Sequence, residues 1–327
     1  AKVLVAVNKV ETKEIEKDIF EFYNLGLGDP IAISAEQSLG LGDLLDEVVE
    51  KFHRNPSDEE MDTRTKIAVL GKPNAGKSTI VNKLLGEDRV IVSDVAGTTR
   101  DAIDSTFQYH QEEYVIIDTA GIRRKSKIND EIERYSILRA VTAVERADVA
   151  LIVIDGAEGI SEQDAKIAGI AHNRGKATII VVNKWDVVEK DEKKTKQMEK
   201  EIREILSFNT YAPILFLSAL TGQRFHQIME TVIRVSNEHA KRIPTGTLNE
   251  IIGEAVLMNP PPADKGRRLK IYYLTQTGVK PPTFVLFVND KKLMHFSYQR
   301  YLENKLRQGF DFTGTPLRLY IREKKDS

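Results

Sequence analysis

The chain of 327 residues contains no cysteine, which excludes a disulfide scaffold, thiolate metal sites and cysteine-dependent catalysis. No apolar run reaches the roughly 18 residues that a membrane-spanning helix needs, so no membrane partner is expected. No secretory signal pattern opens the sequence, which starts inside an apolar run that includes Val3–Val7. These absences favour a cytoplasmic protein, and the length is sufficient for two or three domains.

Net charge is also nearly absent, because 48 Lys and Arg oppose 49 Asp and Glu and leave −1 at pH 7. The balance is uneven along the chain, since residues 245–327 contain 14 Lys and Arg against 8 Asp and Glu. A basic C-terminal segment indicates a polyanionic partner such as nucleic acid, although a solvated surface has the same composition.

Two polar segments, residues 53–65 and 241–246, are predicted linkers, because they are charged and carry little to bury. Residues 66–240 between them alternate continuous apolar runs with helical patterns, which is typical of a parallel sheet covered on both faces. The predicted fold class is therefore α/β, a doubly wound sheet. Its strands are expected at Ile67–Leu70, Tyr114–Ile117, Val149–Ile154, Thr178–Val182 and Ile214–Leu217.

The first 52 residues repeat the end of that α/β segment. Val3–Lys9 matches Ile179–Lys184 in pattern, and Ile31–Ala35 matches Ile214–Ala219. The pairs Asn-Lys and Ser-Ala recur at matching places, so residues 1–52 are interpreted as the remnant of a second copy of the domain. The alternative is the periodicity that any two strand–helix units share. The aligned helix face would consist of Leu44, Leu45, Val48 and Val49.

A glycine-rich loop follows the first predicted strand of the α/β segment and precedes a helix. Its glycines allow backbone N–H groups to curl around phosphate oxygens, and the helix N-terminus adds partial positive charge. Lys77 is expected to reach the β and γ phosphates, and the Ser78 hydroxyl to bind Mg²⁺. The predicted nucleotide-binding residues of this P-loop are Gly71, Lys72, Pro73, Asn74, Ala75, Gly76, Lys77, Ser78 and Thr79.

A second phosphate element is the sequence Asp-Thr-Ala-Gly at the end of a predicted strand. Open α/β sheets bind ligands at the carboxyl ends of their strands, so Asp118 is predicted to hold Mg²⁺ and the Gly121 N–H to sense the γ-phosphate. Between this element and the P-loop, a threonine of Gly-Thr-Thr-Arg-Asp would close over Mg²⁺ while the γ-phosphate is present. Thr99 is the predicted ligand, and Thr98 is the alternative.

The base is predicted to be recognised by the sequence Asn-Lys-Trp-Asp after another apolar strand. The Asp186 carboxylate can accept hydrogen bonds from N1–H and N2–H of guanine, whereas adenine would leave it unpaired. The Ser-Ala pair after the next strand would direct a backbone N–H at O6 of guanine. The predicted ligands are therefore GTP and GDP, bound by Asn183, Lys184, Asp186, Ser218 and Ala219.

The motifs GKPNAGKS, GTTRD, DTAG, NKWD and SA, in this order, resemble the TrmE-Era-Era-like branch of translation GTPases. The wider layout resembles the Der (EngA) family, which has two tandem G domains and a C-terminal KH-like domain. This resemblance covers essentially the whole chain. It implies a GTPase that hydrolyses GTP to GDP and phosphate as a switch in large ribosomal subunit assembly, with Mg²⁺ as cofactor. It also implies the large subunit or its precursor, through ribosomal RNA, as partner of a monomeric protein.

On this resemblance, residues 1–52 are the tail of a first G domain, residues 66–240 are a complete second G domain, and residues 247–327 are an α+β KH-like domain. Glu11 stands where the family has an aspartate, which departs from the guanine-binding pattern. A circularly permuted GTPase would also place Asn-Lys before the P-loop, but the complete later set makes that alternative unnecessary.

The C-terminal segment predicts the order α-β-β-α-β, which forms an α+β layer. No GxxG loop, with which KH domains clamp RNA, occurs in residues 245–327. Contact with ribosomal RNA by charge and docking against the G domain both stay open. The aromatic residues Tyr272, Tyr273, Phe284 and Phe287 are expected in the core rather than on bases. The elements are expected at Leu248–Leu257, Leu269–Thr275, Thr283–Val288, Ser297–Gln308 and Leu317–Ile321.

The catalytic group is the least evident part of the site. Ras-type GTPases orient the attacking water with a glutamine just after the DxxG glycine, and Ile122 occupies that position here. In related GTPases an asparagine at the position of Asn74 helps bind K⁺, and the resemblance implies that role here, with K⁺ in place of an arginine finger. The alternative is that Asn74 only caps the loop. The predicted catalytic residues are Lys77, Asn74 and Thr99.

Two other functions deserve comparison with the Der-like one. A tRNA-modification GTPase of the TrmE type shares GTTRD but carries a C-terminal cysteine motif, which this chain lacks. A non-enzymatic RNA-binding adaptor would fit an incomplete first G domain, but the complete set of motifs in residues 66–240 argues against it.

Overall fold

The computed structural model describes residues 3–10, 19, 21–23, 25, 27, 29–35, 44, 62–86, 104–119, 140–188, 192–261, 263–264 and 266–324. The chain divides into two compact units, Ala1–Thr63 and Arg64–Ser327. No helix among these residues is long and apolar enough to cross a membrane. Eight residues singled out in the sequence lie outside the described residues: Glu11, Leu45, Val48, Val49, Thr98, Thr99, Gly121 and Ile122.

The first unit contains two short parallel strands, β1 (Ala6–Val7) and β2 (Ile31–Ala32). Asn8 follows β1, and its side-chain oxygen accepts hydrogen bonds from the N–H groups of Lys9 at 2.9 Å and Ala35 at 3.0 Å. Lys9 has a left-handed backbone conformation with φ 71°. The Asn8 side chain therefore joins the ends of the two strands.

The second unit is built on a six-stranded sheet. Its strands are β3 (Thr65–Gly71), β4 (Ser105–Tyr109), β5 (Glu112–Ile117), β6 (Val149–Asp155), β7 (Ala177–Asn183) and β8 (Ile214–Phe216). They lie in the order β4-β5-β3-β6-β7-β8, and all neighbours pair in parallel except β4, which pairs antiparallel with β5 at the edge. The central strands are buried along their whole length, because helices cover both faces of the sheet.

Helices lie on both faces of this sheet, which confirms the doubly wound α/β fold. On one face, Ile80 of α1 (Lys77–Gly86) and Val232 of α4 (Gln227–Ala240) belong to one apolar core. On the other face, helical residues 140–146 pack with α2 (Glu162–Asn173) and α3 (Glu192–Ile205) in a second core.

Strand β4 was absent from the sequence prediction. Its sequence, STFQY, alternates, and Phe107 is its one buried residue. An antiparallel edge strand needs only one apolar face, so it lacks the continuous apolar run by which the parallel strands were identified.

The C-terminal part confirms the predicted order α-β-β-α-β. Its elements are α5 (Thr245–Met258), β9 (Ala263–Asp264), β10 (Arg267–Arg268), β11 (Ile271–Gly278), β12 (Thr283–Val288), α6 (Phe296–Phe310) and β13 (Arg318–Glu323). Strand β11 pairs antiparallel with β12, and β12 pairs parallel with β13. The short β9–β10 ribbon and a 3₁₀ turn at Lys291–Leu293 were not predicted.

The prediction that four aromatic residues of this part lie in the core is correct for Phe284, which is fully buried. It is wrong for Tyr273, which is 38% exposed and stacks on the partly exposed Phe287 with ring centroids 4.5 Å apart. The side chains of a strand alternate between faces, so both rings lie on the outer face of the sheet, opposite buried Leu274 and Leu286.

The KH-like part contacts the six-stranded sheet at the amino ends of its parallel strands. The Gly314 N–H donates to the Tyr211 carbonyl at 2.8 Å, and the Thr178 N–H donates to the Gly314 carbonyl at 2.7 Å. Gly314 has φ 74°, and a Cβ on it would lie 2.5 Å from the Val235 side chain of α4. Only glycine fits this point of the junction.

Polar side chains complete the junction. Nδ1 of His239, in the last turn of α4, lies 2.6 Å from the Thr315 hydroxyl, and both residues are buried. Burial lowers the pKa of His239 to about 4, so its imidazole is neutral at pH 7. Lys280 pairs with Asp148 at 3.2 Å. The carboxyl ends of the strands are left for ligand binding.

Candidate nucleotide-binding site

The P-loop connects β3 to α1 and depends on two glycines with positive φ. Gly71 has φ 147°, and a Cβ there would collide with the Val153 carbonyl of the neighbouring strand. Gly76 has φ 93°, and a Cβ there would collide with the Asn183 side chain. These two positions require glycine, and they bring the backbone N–H groups of the loop to the start of α1.

The cationic side chains of the loop have different partners. The Lys77 ammonium donates to the Lys72 carbonyl of its own loop. The Lys72 ammonium lies 3.5 Å from the fully buried carboxylate of Asp164 and 3.4 Å from Glu158. Lys72 therefore anchors the loop to the start of α2, and its contribution to phosphate binding would come from its backbone. Ser78 is exposed in the first turn of α1.

Asn183 joins the P-loop to the loop predicted to contact the base. Its side-chain amide donates to the Ala75 carbonyl at 2.9 Å, and its side-chain oxygen accepts from the Ala219 N–H at 2.9 Å. The residue is 2% exposed, so both hydrogen bonds are made away from water. A backbone N–H of the Ser-Ala pair was predicted to contact guanine O6. The Ala219 N–H already donates to Asn183, and the Ser218 N–H donates to the Gln223 carbonyl at 3.1 Å, so the contact with O6 stays a prediction.

Lys184 has a left-handed backbone with φ 60°, and its ammonium lies 2.6 Å from the carboxylate of Asp155. Burial would raise the pKa of Asp155, but hydrogen bonds from Lys184 and the Ala157 N–H outweigh it and leave that pKa below its ordinary value. Asp155 was not identified from the sequence. It is the last residue of the buried strand β6, which pairs with β7. A carboxylate at the end of a buried strand was the feature by which the sequence could have indicated it.

Asp186 is presented at the surface by the residue before it. Trp185 is buried against Phe216 with ring centroids 4.6 Å apart, and its backbone N–H donates to the Leu217 carbonyl at 3.0 Å. The Asp186 carboxylate is partly exposed, and within the described part of the chain no other residue hydrogen bonds or pairs with it. It is therefore free to accept the two N–H groups of guanine.

Asp118 directly follows β5 with φ 58°, and its N–H donates to the Asp104 carboxylate at 3.0 Å. Asp104 also pairs with Arg146, and the Ser105 and Thr119 hydroxyls lie 2.9 Å apart beside it. Asp104 was not identified from the sequence, although it directly precedes the alternating strand β4. These contacts fix the backbone from which the Asp118 carboxylate projects.

Lys83 connects α1 to the predicted base loop. Its ammonium donates to the Ala219 carbonyl at 3.4 Å and lies 5.1 Å from the Phe225 ring centroid. No motif distinguishes this lysine from a solvated helix residue in the sequence. Together with Asn183, it makes the phosphate side and the base side of the site one connected structure.

The donors fit the cations that the motifs imply. Mg²⁺ prefers hard oxygen ligands, and the Ser78 hydroxyl and Asp118 carboxylate supply them. The described residues contain no group of three or more His, Cys, Asp or Glu side chains that could hold a metal, so such an ion would depend on phosphate oxygens. Asn74 is exposed with φ 64° and offers a side-chain oxygen suited to K⁺.

Comparisons with known protein families match two parts of the chain. The family described as 50S ribosome-binding GTPase matches residues 66–184. The family described as the C-terminal KH-domain-like domain of EngA bacterial GTPase enzymes matches residues 242–322.

Individual relatives match nearly the whole chain. A protein named GTPase Der from Alkaliphilus metalliredigens is 60% identical over 322 residues, which cover 98% of this chain and 73% of the relative. GTPase Der from Clostridium novyi is 54% identical over 324 residues, covering 99% of this chain and 74% of the relative. Among solved structures, Era in complex with MgGDPNP and a 16S ribosomal RNA segment is 26% identical with a TM-score of 0.41, over 80% of this chain and 94% of Era.

Proposed function

The chain belongs to the GTPase Der family, and from that premise we propose that it is a GTP-dependent switch in the assembly of the large ribosomal subunit in the cytoplasm. It is a GTP hydrolase, as the family and the matched GTPase domain indicate. The observation that carries the switch proposal is the Asn183 side chain, which connects the phosphate loop to the base loop. A nucleotide bound there would stabilise both loops together.

In the proposed site, P-loop N–H groups and the Lys77 ammonium bind the β and γ phosphates. The Asp186 carboxylate selects guanine, and Asn183 and Lys184 hold the loop that presents it. Bound Mg²⁺, on Ser78, Asp118 and Thr99, and K⁺, on Asn74, would supply positive charge to the phosphates during hydrolysis.

Ribosome association is supported by the family description for residues 66–184 and by the excess of basic residues in the KH-like part. We propose the organisation expected from the sequence. Residues 1–52 form the C-terminal part of a first G domain, residues 66–240 the second one with its full set of motifs, and residues 247–327 the KH-like domain. The KH-like domain contacts the sheet at the amino ends of its strands, whereas the nucleotide site lies at their carboxyl ends. Ribosome binding through the KH-like domain would therefore leave the nucleotide site uncovered.

The test is co-sedimentation of the full chain with purified large ribosomal subunits in the presence of GDPNP, GDP or no nucleotide. We expect at least about tenfold more bound protein with GDPNP than with GDP, because a switch must bind one state differentially. The Asp186→Asn variant serves as the matched control, since it should lose the effect of GDPNP without any change outside the base site. Equal sedimentation under all three conditions would refute the proposed switch.

A further inference from the structure

The outer face of the β11–β12–β13 sheet carries a row of aromatic side chains, which we call the aromatic row: Tyr273, Phe287 and Tyr320. Tyr273 and Phe287 are directly paired across β11 and β12, and their rings stack with an interplanar angle of 19°. Tyr320 lies one row away on β13 and is 52% exposed. The opposite face of the same strands supplies the apolar core with Leu274 and Leu286.

Cationic side chains border the aromatic row. Arg322 is exposed and pairs with Phe287 in the strand register, so it lies on the same face as the stack. At this end of the sheet, the ammonium groups of Lys270 and Lys324 lie 5.3 Å and 5.6 Å from the Tyr272 ring centroid. The end of the aromatic row is therefore positively charged.

An open cavity of about 730 Å³ lies at this end of the sheet, since Asn289 after β12 and Glu323 at the end of β13 line it, and four basic residues belong to its lining. Its two acidic residues already have partners. The Asp290 carboxylate lies 3.4 Å from Arg267, and the Glu323 carboxylate accepts the Lys291 N–H at 3.1 Å. The basic lining residues are Arg267, Arg268, Lys291 and Lys292.

We propose that the aromatic row and this cavity bind a single-stranded RNA segment. Unpaired bases would stack on Tyr273 and Tyr320, and the phosphates would contact Arg322 and the basic lining of the cavity. Exposed rings beside cations form the surface with which proteins hold single strands, because every base has a face to stack and every nucleotide a charge to neutralise. Such a surface would provide RNA contact in a domain whose sequence lacks the GxxG clamp.

The charges of the surface decide between classes of partner. An apolar protein segment would fit the rings but would offer no negative charge to the surrounding cations, and an RNA duplex offers phosphates but keeps its base faces stacked inside the helix. A single-stranded nucleic acid supplies both groups at once. The proposal deepens the proposed function, on which it rests for ribosomal RNA as the source of the single strand.

The experiment measures binding of a fluorescein-labelled, unstructured RNA of about 10 nucleotides to the full chain by anisotropy, a length within the usual site size. Replacement of Tyr273 by Leu keeps the apolar bulk but removes the ring, and we expect about tenfold weaker binding. Replacement by Phe keeps the ring and should restore the affinity. Arg322→Gln should reduce the dependence of log Kd on log salt by about 0.7, the contribution of one phosphate on a single strand.

Matched controls come from the helical side of the same domain, where Arg300 lies 5.7 Å from the ring centroid of Phe296, itself 68% exposed. Phe296→Leu and Arg300→Gln should leave RNA affinity unchanged, and all variants should keep the GTP turnover of the unmodified chain. The proposal is overturned if Tyr273→Leu binds the RNA as tightly as the parent, or if a duplex of the same sequence binds better. Nucleotide-dependent sedimentation with the large subunit would survive that result, so the two proposals fail separately.

Discussion

The two units of the chain contain the same hydrogen bond in different surroundings. In the first unit the Asn8 side-chain oxygen accepts the Ala35 N–H at 3.0 Å, and in the second the Asn183 side-chain oxygen accepts the Ala219 N–H at 2.9 Å. Asn8 follows β1 and Asn183 is the last residue of β7, and in each case the alanine follows the strand paired with that one. Asn8 is exposed, whereas Asn183 is buried.

The lysine after each asparagine also has the same backbone conformation, with φ 71° at Lys9 and 60° at Lys184. Among the residues that the structure describes, the asparagine and the lysine have further side-chain partners in the second unit. The Asn183 amide donates to the P-loop at Ala75, and Lys184 pairs with Asp155. The Asn-Lys and Ser-Ala pairs by themselves therefore join the ends of two strands. They become part of a nucleotide site when a phosphate loop is bonded to the other side of the asparagine.

The largest expected effect tests whether turnover belongs to the second unit alone. Lys77→Ala removes the ammonium assigned to the phosphates, and we expect the single-turnover rate of phosphate release to fall by about 10³. Lys9→Ala removes a lysine from the first unit and should leave the rate unchanged. A near-parental rate in Lys77→Ala, with the melting curve intact, would show that the P-loop assignment is wrong.

The second prediction concerns K⁺ at Asn74 of the second unit. Hydrolysis should be faster in KCl than in NaCl at equal ionic strength, because Na⁺ is smaller and should fit a K⁺ site less well. Asn74→Ala should remove most of that advantage, a loss of about 10²–10³ in rate, and should leave nucleotide affinity largely intact. The measurement is GTP turnover of both proteins in matched salts. Equal rates of the parent in the two salts would exclude the cation mechanism while leaving the GTPase assignment in place.

The third prediction compares the acidic positions of the two copies. Asp186→Asn should weaken GTP binding on the order of a hundredfold, because two charge-assisted hydrogen bonds to guanine are lost. The same variant should favour xanthosine nucleotides, to which the amide can donate. Glu11→Gln, at the corresponding place in the first unit, should change neither affinity. Titration with fluorescent GTP and XTP analogues measures both, and unchanged GTP affinity in Asp186→Asn would remove this residue from the site.

The smallest expected effect comes from replacing the asparagine in each of the two units. Asn183→Ala leaves the Ala75 carbonyl and the Ala219 N–H without their partner, and a buried unsatisfied group costs about 1–3 kcal/mol. We expect about tenfold weaker GTP binding and a melting temperature lower by several degrees. Asn8→Ala removes the equivalent bond from an exposed position, so GTP affinity should not change. If the two variants behave alike in calorimetric titration, burial and the bond to the P-loop do not distinguish the two copies.

The sequence predicted the doubly wound sheet well because parallel strands covered on both faces leave continuous apolar runs, as in β6 and β7. It missed β4, which needs only one apolar face, and it placed Tyr273 in the core although a half-exposed sheet leaves that ring outside. When apolar residues occur on both faces of a strand, their alternation does not indicate which face of the sheet is covered by helices and which face is exposed.

Within the candidate site, the motifs located the loops but not the residues that support them. Asp155, Asp104 and Lys83 act through contacts with residues 29, 14 and 136 positions away in the chain. Such pairs form only when the order of the strands in the sheet brings their ends together. The spacing of residues along the sequence therefore does not predict them. The roles of Thr99 and Gly121 stay predictions, since both lie outside the described residues.

Gly314 sets the clearance between the KH-like domain and the sheet. Its N–H and carbonyl bond to Tyr211 and Thr178, and its missing side chain is replaced by the methyl groups of Val235. A single added methyl group at this position would collide with Val235 and push the two domains apart. The substitution therefore gives protein engineers a way to loosen one domain from the other without replacing any residue of the nucleotide site, the aromatic row or the basic cavity.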